Sequence, residues 1–96
     1  MYARLTECQV DANRIDEAIV ISSEQIGLGM QETPGFQRMF VLGDRATGDT
    51  VVFTLWESAE AEQASRSQIA SRFAPLGDIL LGPPKPTKVY EVVDVA

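Results

Sequence analysis

Side chains that could hold an anionic oxygen occur at three places in this chain of 96 residues. Arg38 stands between Phe36 and Phe40 on one face of a predicted strand, where a guanidinium among aromatic rings could bind an oxyanion. Arg4, on an earlier strand, and the phenol of Tyr90, on a later one, are the other candidate donors. Each also has an ordinary structural interpretation, because tyrosines are common on strands and arginines reach solvent from sheet edges. The residue types alone leave both interpretations open.

The sequence contains no histidine, and this excludes several kinds of catalytic site. Histidine acid–base catalysis, Ser-His-Asp triads and histidine-ligated zinc or haem all need a residue that the chain lacks. No group of carboxylates and sulfurs has the spacing of metal ligands, so we expect no metal and no cofactor. The single cysteine, Cys8, cannot form an internal disulfide, which favours a reducing compartment. No basic neighbour activates it, so a buried, inert thiol is expected.

Composition limits the partners that the protein can have. The net charge of −6, without any cluster of lysine or arginine, argues against nucleic acid and anionic membrane surfaces. The N-terminus lacks a signal-peptide pattern, and no segment has the roughly 20 apolar residues needed to span a bilayer. We therefore expect one cytoplasmic domain over residues 1–96.

Hydrophobic periodicity and turn residues predict the order β-α-β-β-α-β. The predicted strands span 2–10, 36–42, 51–57 and 87–95, and the predicted helices span 12–31 and 58–73. In the second helix we expect an inner stripe formed by Ala61, Ala64, Gln68, Ile69 and Phe73. Its acids, Glu57, Glu60 and Glu62, are typical of a capped, solvated helix start.

This order predicts an α+β, ferredoxin-like sandwich in which two helices cover one face of a four-stranded antiparallel sheet. The segment "VVFTLWES" is apolar on both faces of its strand, which indicates that the face without helices is covered as well. We expect two copies to pack sheet against sheet and enclose a pocket there. The residues expected on that face are Trp56, Val52, Phe36 or Met39, and Tyr90 or Val93.

Particular motifs resemble the antibiotic-biosynthesis monooxygenase family of dimeric α/β-barrel proteins. They are "PGF" at the entry to the second strand, the "LGD" turn, and "LWES" followed by an alanine-rich helix. The resemblance spans nearly the whole chain, and "LWES" is its most specific part. It implies a homodimer in which a polyphenolic substrate is deprotonated and passes an electron to dioxygen without metal or flavin.

The resemblance also implies candidate site residues. Trp56 matches the pocket tryptophan of the family, and Trp56, Arg38 and Tyr90 are the candidate catalytic residues. The candidate substrate-binding residues are Arg4, Thr6, Phe36, Phe40, Val52 and Thr54. The strand-one asparagine of some relatives has no counterpart, because Arg4 and Thr6 occupy that strand. Two alternatives stay open: a non-catalytic dimer that binds a small aromatic ligand, and an isomerase or cyclase with Glu7 or Asp94 as the proton carrier.

Overall fold

The computed structural model describes the backbone of residues 1–96 and the side chains of all except residues 69 and 70. The strands are β1 (Tyr2–Gln9), β2 (Phe36–Gly43), β3 (Asp49–Trp56) and β4 (Lys88–Glu91), and the helices are α1 (Ile15–Ile21), α2 (Leu28–Gln31) and α3 (Ala59–Arg72). A π-helical segment, Ser22–Gly27, joins α1 to α2. Within the described chain, no helix has both the length and the apolar character required to cross a bilayer.

The four strands form one antiparallel sheet in the order β2-β3-β1-β4. With the helices between β1 and β2 and between β3 and β4, this is the predicted β-α-β-β-α-β sandwich, and the prediction is confirmed. The last strand is shorter than predicted, because residues 92–96 lie beyond the sheet. Only the backbone N–H of Val92 still bonds to the first residue, donating to the carbonyl of Met1 at 2.9 Å.

The prediction of which β3 side chains face the helices was wrong. Trp56 and Val52 are 0% and 6% exposed and face the helices, where Trp56 packs in one cluster with Ile26 and Met30. The opposite face of β3 carries Val51, Phe53 and Leu55, which are only half-buried. Both faces of "VVFTLWES" are apolar, so alternation could not show which one the helices cover.

A β-bulge explains why Phe36 and Arg38 do not share a face. The pairing register of β2 with β3 shifts between these two residues, so Phe36 pairs with Trp56 and Arg38 with Leu55. A bulge inserts one extra residue and breaks the alternation of side chains that the sequence analysis assumed. Phe36 therefore points to the helix side, while Arg38 and Phe40 point away from it.

The π-helical segment keeps the first helix in register with the core. Ala18, Ser22, Ile26 and Met30 are all at most 8% exposed, and they recur at intervals of four residues. In a pure α-helix such a stripe would drift around the axis, because one turn holds about 3.6 residues. The wider π turn rotates less per residue and offsets this drift. Ser22 thereby stays on the stripe that faces the sheet.

The buried stripe of α3 is polar, which differs from the prediction. Glu62 and Ser65 are 1% and 0% exposed, whereas the predicted inner residues Ala64 and Gln68 are exposed. The side chain of Ile69, also predicted to face inward, lies outside the described residues. Small residues made the apolar signal of this helix weak, so the sequence gave little indication of its inner face.

Candidate functional site

A cavity of about 480 Å³ lies between the first helix and the sheet. Ile15, Ala18 and Ile19 of α1 form one wall, and Thr6 and Val52 of the central strands form the opposite one. The connection between α3 and β4 closes an end with Phe73, Leu76, Leu80, Pro84 and Thr87. Most of the lining is apolar, as in pockets that bind small organic molecules.

The cavity is on the opposite side of the sheet from the predicted pocket. The sequence analysis expected it between two subunits, on the face that carries no helices. Instead, the cavity lies within a single chain, between its sheet and its own helices. The reason is that Val52 and Trp56 of β3, which were expected to line the pocket on the helix-free face, point toward the helices.

Seven polar side chains among the described residues contribute to the lining of the cavity. They are Arg4, Thr6, Cys8, Ser22, Arg45, Thr50 and Thr87. The hydroxyl oxygens of Thr6 and Thr87 lie 3.2 Å apart, and Thr50 Oγ1 donates to the carbonyl of Gly48 at 3.1 Å. Burial raises the pKa of the Cys8 thiol, so this side chain is a neutral thiol at physiological pH.

An ion pair joins two elements beside the cavity. Arg45, in the loop between β2 and β3, donates from Nη1 to Asp16 Oδ1 at 2.7 Å. Asp16 lies in the first turn of α1, so the pair connects the hairpin loop to the helix. Both side chains are well exposed, at 64% and 82%, and an exposed pair of this kind contributes little to stability. Arg45 is also one of the residues that line the cavity.

Arg4 belongs to a cluster of three charged side chains, the other two being Glu62 and Arg66 on α3. Glu62 on α3 accepts hydrogen bonds from Arg66 Nε at 3.0 and 3.1 Å and from Arg66 Nη2 at 2.9 Å. Burial lowers the pKa of Arg4, the charge of Glu62 opposes this effect, and the charge of Arg66 adds to it. Arg4 therefore lies within electrostatic range of both partners on α3.

One atom of this cluster has no partner. Arg4 Nη1 is buried and makes no hydrogen bond among the described residues. A buried N–H without an acceptor is costly, and native structures contain few of them. Arg4 lines the cavity, so its guanidinium has hydrogen-bonding capacity left for a ligand oxygen.

Sequence reasoning missed Glu62, which it placed on a solvated helix start. The carboxylate is instead enclosed between α3 and β1, with its side chain 1% exposed. A usable signal was present, because Glu62 and Arg66 are four residues apart and can pair on a helix. Ser65 and Ala61, small residues on the same side of the helix, allow the close approach to the sheet.

Three of the predicted residues lie in the helix-side core rather than in the cavity lining. The indole Nε1 of Trp56 donates to Thr54 Oγ1 at 2.9 Å, and both side chains are buried. The ring of Phe36 meets that of Trp56 edge-on at a centroid distance of 5.5 Å. Of the predicted residues, the structure brings together Arg4, Thr6 and Val52 in the cavity wall.

The other predicted residues lie on the opposite face of the sheet. Arg38 is stacked over the ring of Phe40, with 6.0 Å between Cζ and the ring centroid, and Phe40 packs edge-on against Phe53. Tyr90 pairs with Ala3, which places it on this same face, and it is 55% exposed. These side chains do not line the cavity. In addition, the described residues include no group of three His, Cys, Asp or Glu that could hold a metal ion.

Solved structures with the same architecture include several oxygenases. The monooxygenase ActVA-Orf6 of Streptomyces coelicolor, solved in complex with nanaomycin D, superposes with a TM-score of 0.80 at 18% identity, over 99% of this chain and 89% of that one. An antibiotic biosynthesis monooxygenase superposes with a TM-score of 0.74 at 11% identity, over 98% of this chain and 100% of the other. Rv0793 of Mycobacterium tuberculosis gives a TM-score of 0.73 at 16% identity, over 99% and 97% of the two chains.

The chain has the fold of the antibiotic biosynthesis monooxygenases. In this chain the cavity lies between the sheet and the helix that follows the first strand, and Arg4 is part of its lining.

Sequence comparison adds relatives whose function is not described. Rv2557 and MT2634, uncharacterized proteins from two strains of Mycobacterium tuberculosis, are each 33% identical to this chain over 69 residues. The match covers 72% of this chain, which spans only about a third of the length of these relatives (31%). No family model matches the sequence.

Proposed function

We propose that this protein belongs to the antibiotic-biosynthesis monooxygenase family and oxidises an aromatic small molecule with dioxygen, without metal or flavin. The observation that carries the proposal is an apolar cavity of about 480 Å³ in the monooxygenase fold, with the half-buried Arg4 in its wall, whose Nη1 has no hydrogen-bond partner. Apolar walls suit a fused aromatic ring, and the donor suits an oxygen atom that becomes negative during the reaction.

The proposed chemistry balances with dioxygen as the only oxidant. An anthrone-type substrate loses a proton, and its electron-rich anion passes an electron to dioxygen. The ring CH₂ then becomes C=O, with one oxygen atom in the product and the other in a molecule of water. The protein excludes bulk water from the anion and provides fixed donors around its oxygen, with Arg4 and Thr6 in the sheet wall as the candidates.

The bound ligand of the Streptomyces coelicolor monooxygenase supports a small organic molecule as the substrate. That protein was solved with nanaomycin D, and its fold matches this chain over almost the whole length. Nanaomycin D is therefore a suitable first compound for competition experiments with this protein.

The same proposal includes a homodimer formed through the helix-free face of the sheet. Phe40, Leu42 and Tyr90 on that face are 42%, 56% and 55% exposed, beside the half-buried Phe53 and Leu55. Contiguous apolar surface of this kind is typical of an interface between protein chains. The cavity lies on the other side of the sheet, so dimerisation leaves it accessible.

Oxygen consumption by the purified protein tests the oxygenase. With 1,8-dihydroxyanthrone, we expect one O₂ consumed for each anthraquinone formed, without release of hydrogen peroxide. Ala18→Leu adds volume inside the cavity and should lower the rate about tenfold or more, because the ring no longer fits. Ala64→Leu makes the same change on the exposed side of α3 and should leave the rate unchanged. The proposal would be refuted if the protein did not raise the rate of O₂ consumption with any compound in a panel of polyphenols.

A binding protein without turnover is the second candidate, and one observation favours it. The described lining of the cavity includes no carboxylate that could act as a base, and the sequence has no histidine. A ligand that copurifies with the protein and is recovered unchanged after incubation in air, while O₂ uptake is zero, would establish this function instead.

A further inference from the structure

The charges beside the cavity do not balance. Arg4 and Arg66 each carry a positive charge, and Glu62 is the one carboxylate among the groups that act on Arg4. Arg66 takes up both oxygens of Glu62 with its three hydrogen bonds. The carboxylate therefore compensates Arg66, and the positive charge of Arg4 is left over.

The position of Arg4 makes this excess charge costly for the protein alone. Arg4 is half-buried and its enclosed Nη1 has no acceptor, whereas the side chain of Arg66 is 54% exposed and all of its charge is paired with Glu62 or screened by water. An arginine stays protonated at any physiological pH, so it cannot relieve the cost by losing a proton. A negative oxygen within hydrogen-bonding distance of Nη1 would supply both the missing acceptor and the missing charge.

We infer that the cavity selects a ligand that is already an anion when it binds, an aromatic acid whose ionised oxygen pairs with Arg4 and completes the cluster of Arg4, Glu62 and Arg66. The inference deepens the proposed function, because it names acidic aromatic compounds as the substrate class. Where the ionised oxygen is a phenolate conjugated with the reacting ring, the substrate also arrives deprotonated and needs no base in the cavity wall.

A matched pair of fluorescent probes tests the inference without any turnover. 8-Anilinonaphthalene-1-sulfonate and N-phenyl-1-naphthylamine share the same ring system, and only the first carries an anionic group. Arg4→Gln should weaken binding of the sulfonate about tenfold or more and change binding of the neutral amine less than about twofold, because only the sulfonate uses the charge. Lys85→Gln is the matched control: it removes one positive charge on an exposed residue outside the cavity and should alter neither affinity.

Two outcomes of this experiment would overturn the inference. Equal losses for both probes would mean that Arg4 only maintains the shape of the cavity, and no loss for either would mean that the cavity does not use Arg4. If Arg4→Gln does not fold, the wild type still decides. At equal concentrations 2-naphthoate should raise the melting temperature and 2-naphthamide should not, whereas equal or absent shifts would contradict the inference.

The same melting-temperature measurement can show which chemical group of the ligand carries the negative charge. Binding of 2-naphthoate near neutral pH indicates a carboxylate, while binding of 2-naphthol that strengthens as the phenol ionises indicates a phenolate. Either result supports an anionic ligand, and failure of both compounds contradicts it. All of these measurements can be made without oxygen, so a failed oxygenase assay and a failed binding assay are separate results.

Discussion

Trp56 donates its single indole N–H to Thr54 Oγ1 at 2.9 Å, two residues earlier on the same strand. Residues i and i+2 of a strand point to the same face, so the tryptophan finds its acceptor within its own strand. Both side chains are buried on the helix side of the sheet, at 0% and 3% exposure. The hydrogen bond allows a tryptophan to be completely enclosed, because its polar atom is satisfied.

Trp56→Phe should lower stability rather than ligand binding. The smaller ring leaves a gap beside Phe36 and Thr54 and removes the donor that satisfies the threonine oxygen. We expect the free energy of unfolding to fall by about 1–3 kcal/mol. Urea unfolding followed by circular dichroism measures this loss, because the variant has no tryptophan to report by fluorescence. A stable variant with weakened ligand binding would place the indole in the ligand site instead.

Glu62→Gln should destabilise the protein much more than Glu60→Gln, the same change at an exposed position of the same helix. Glu62 is buried and accepts three hydrogen bonds from Arg66, and its loss leaves two arginines without a negative charge between them. We expect a loss of about 2 kcal/mol, less than for fully buried pairs because Arg66 is half-exposed. The exposed Glu60 should change stability by less than about 0.5 kcal/mol. Equal effects in urea titrations of the two variants would contradict the buried cluster.

The helix-free face of the sheet should hold two copies of the chain together at micromolar concentration. A stable interface buries at least roughly 1,000 Å², and Phe53 lies near the middle of this face, packed against Phe40. Phe53→Asp should shift sedimentation equilibrium toward the monomer, because it places a charge in the interface. Val20→Asp, a charge added at an exposed position of α1, should remain dimeric. A wild type that is monomeric at about 100 µM would disprove this interface.

Stability at alkaline pH should depend on Cys8. Burial raises the pKa of its thiol above the ordinary 9.0, so the folded state holds the proton more tightly than the unfolded state. The resulting stabilisation is complete below the pKa of the unfolded chain and is lost as pH rises through the higher pKa of the folded protein. Between about pH 7 and about pH 10, the wild type should therefore lose more unfolding free energy than Cys8→Ala. Parallel pH profiles would show that the thiol has the same pKa in both states.

The element order and the antiparallel sheet could be predicted from the sequence alone. Strong local signals produced them: the polar hairpin loop before β3, the Ser58 cap whose Oγ accepts from the N–H of Ala61, and the long periodic run of the first helix. These signals act over a few residues, so neighbouring residues are enough to fix them. The candidate donor Arg4 was also found in this way, as a cation on a strand otherwise suited to a sheet.

The location of the cavity depended on tertiary structure, because only packing decides which side chains of a strand point toward the helices. Val51 to Trp56 is apolar on both faces, so only packing against α1 and α2 decides that Val52 and Trp56 point inward. The bulge after Phe36 then sends Arg38 and Phe40 to the other face. The burial of Glu62 and the missing partner of Arg4 likewise depend on contacts between α3 and β1, which lie far apart in sequence. Local patterns specify elements, but the side of a two-faced strand and the balance of buried charges are set only when the elements pack together.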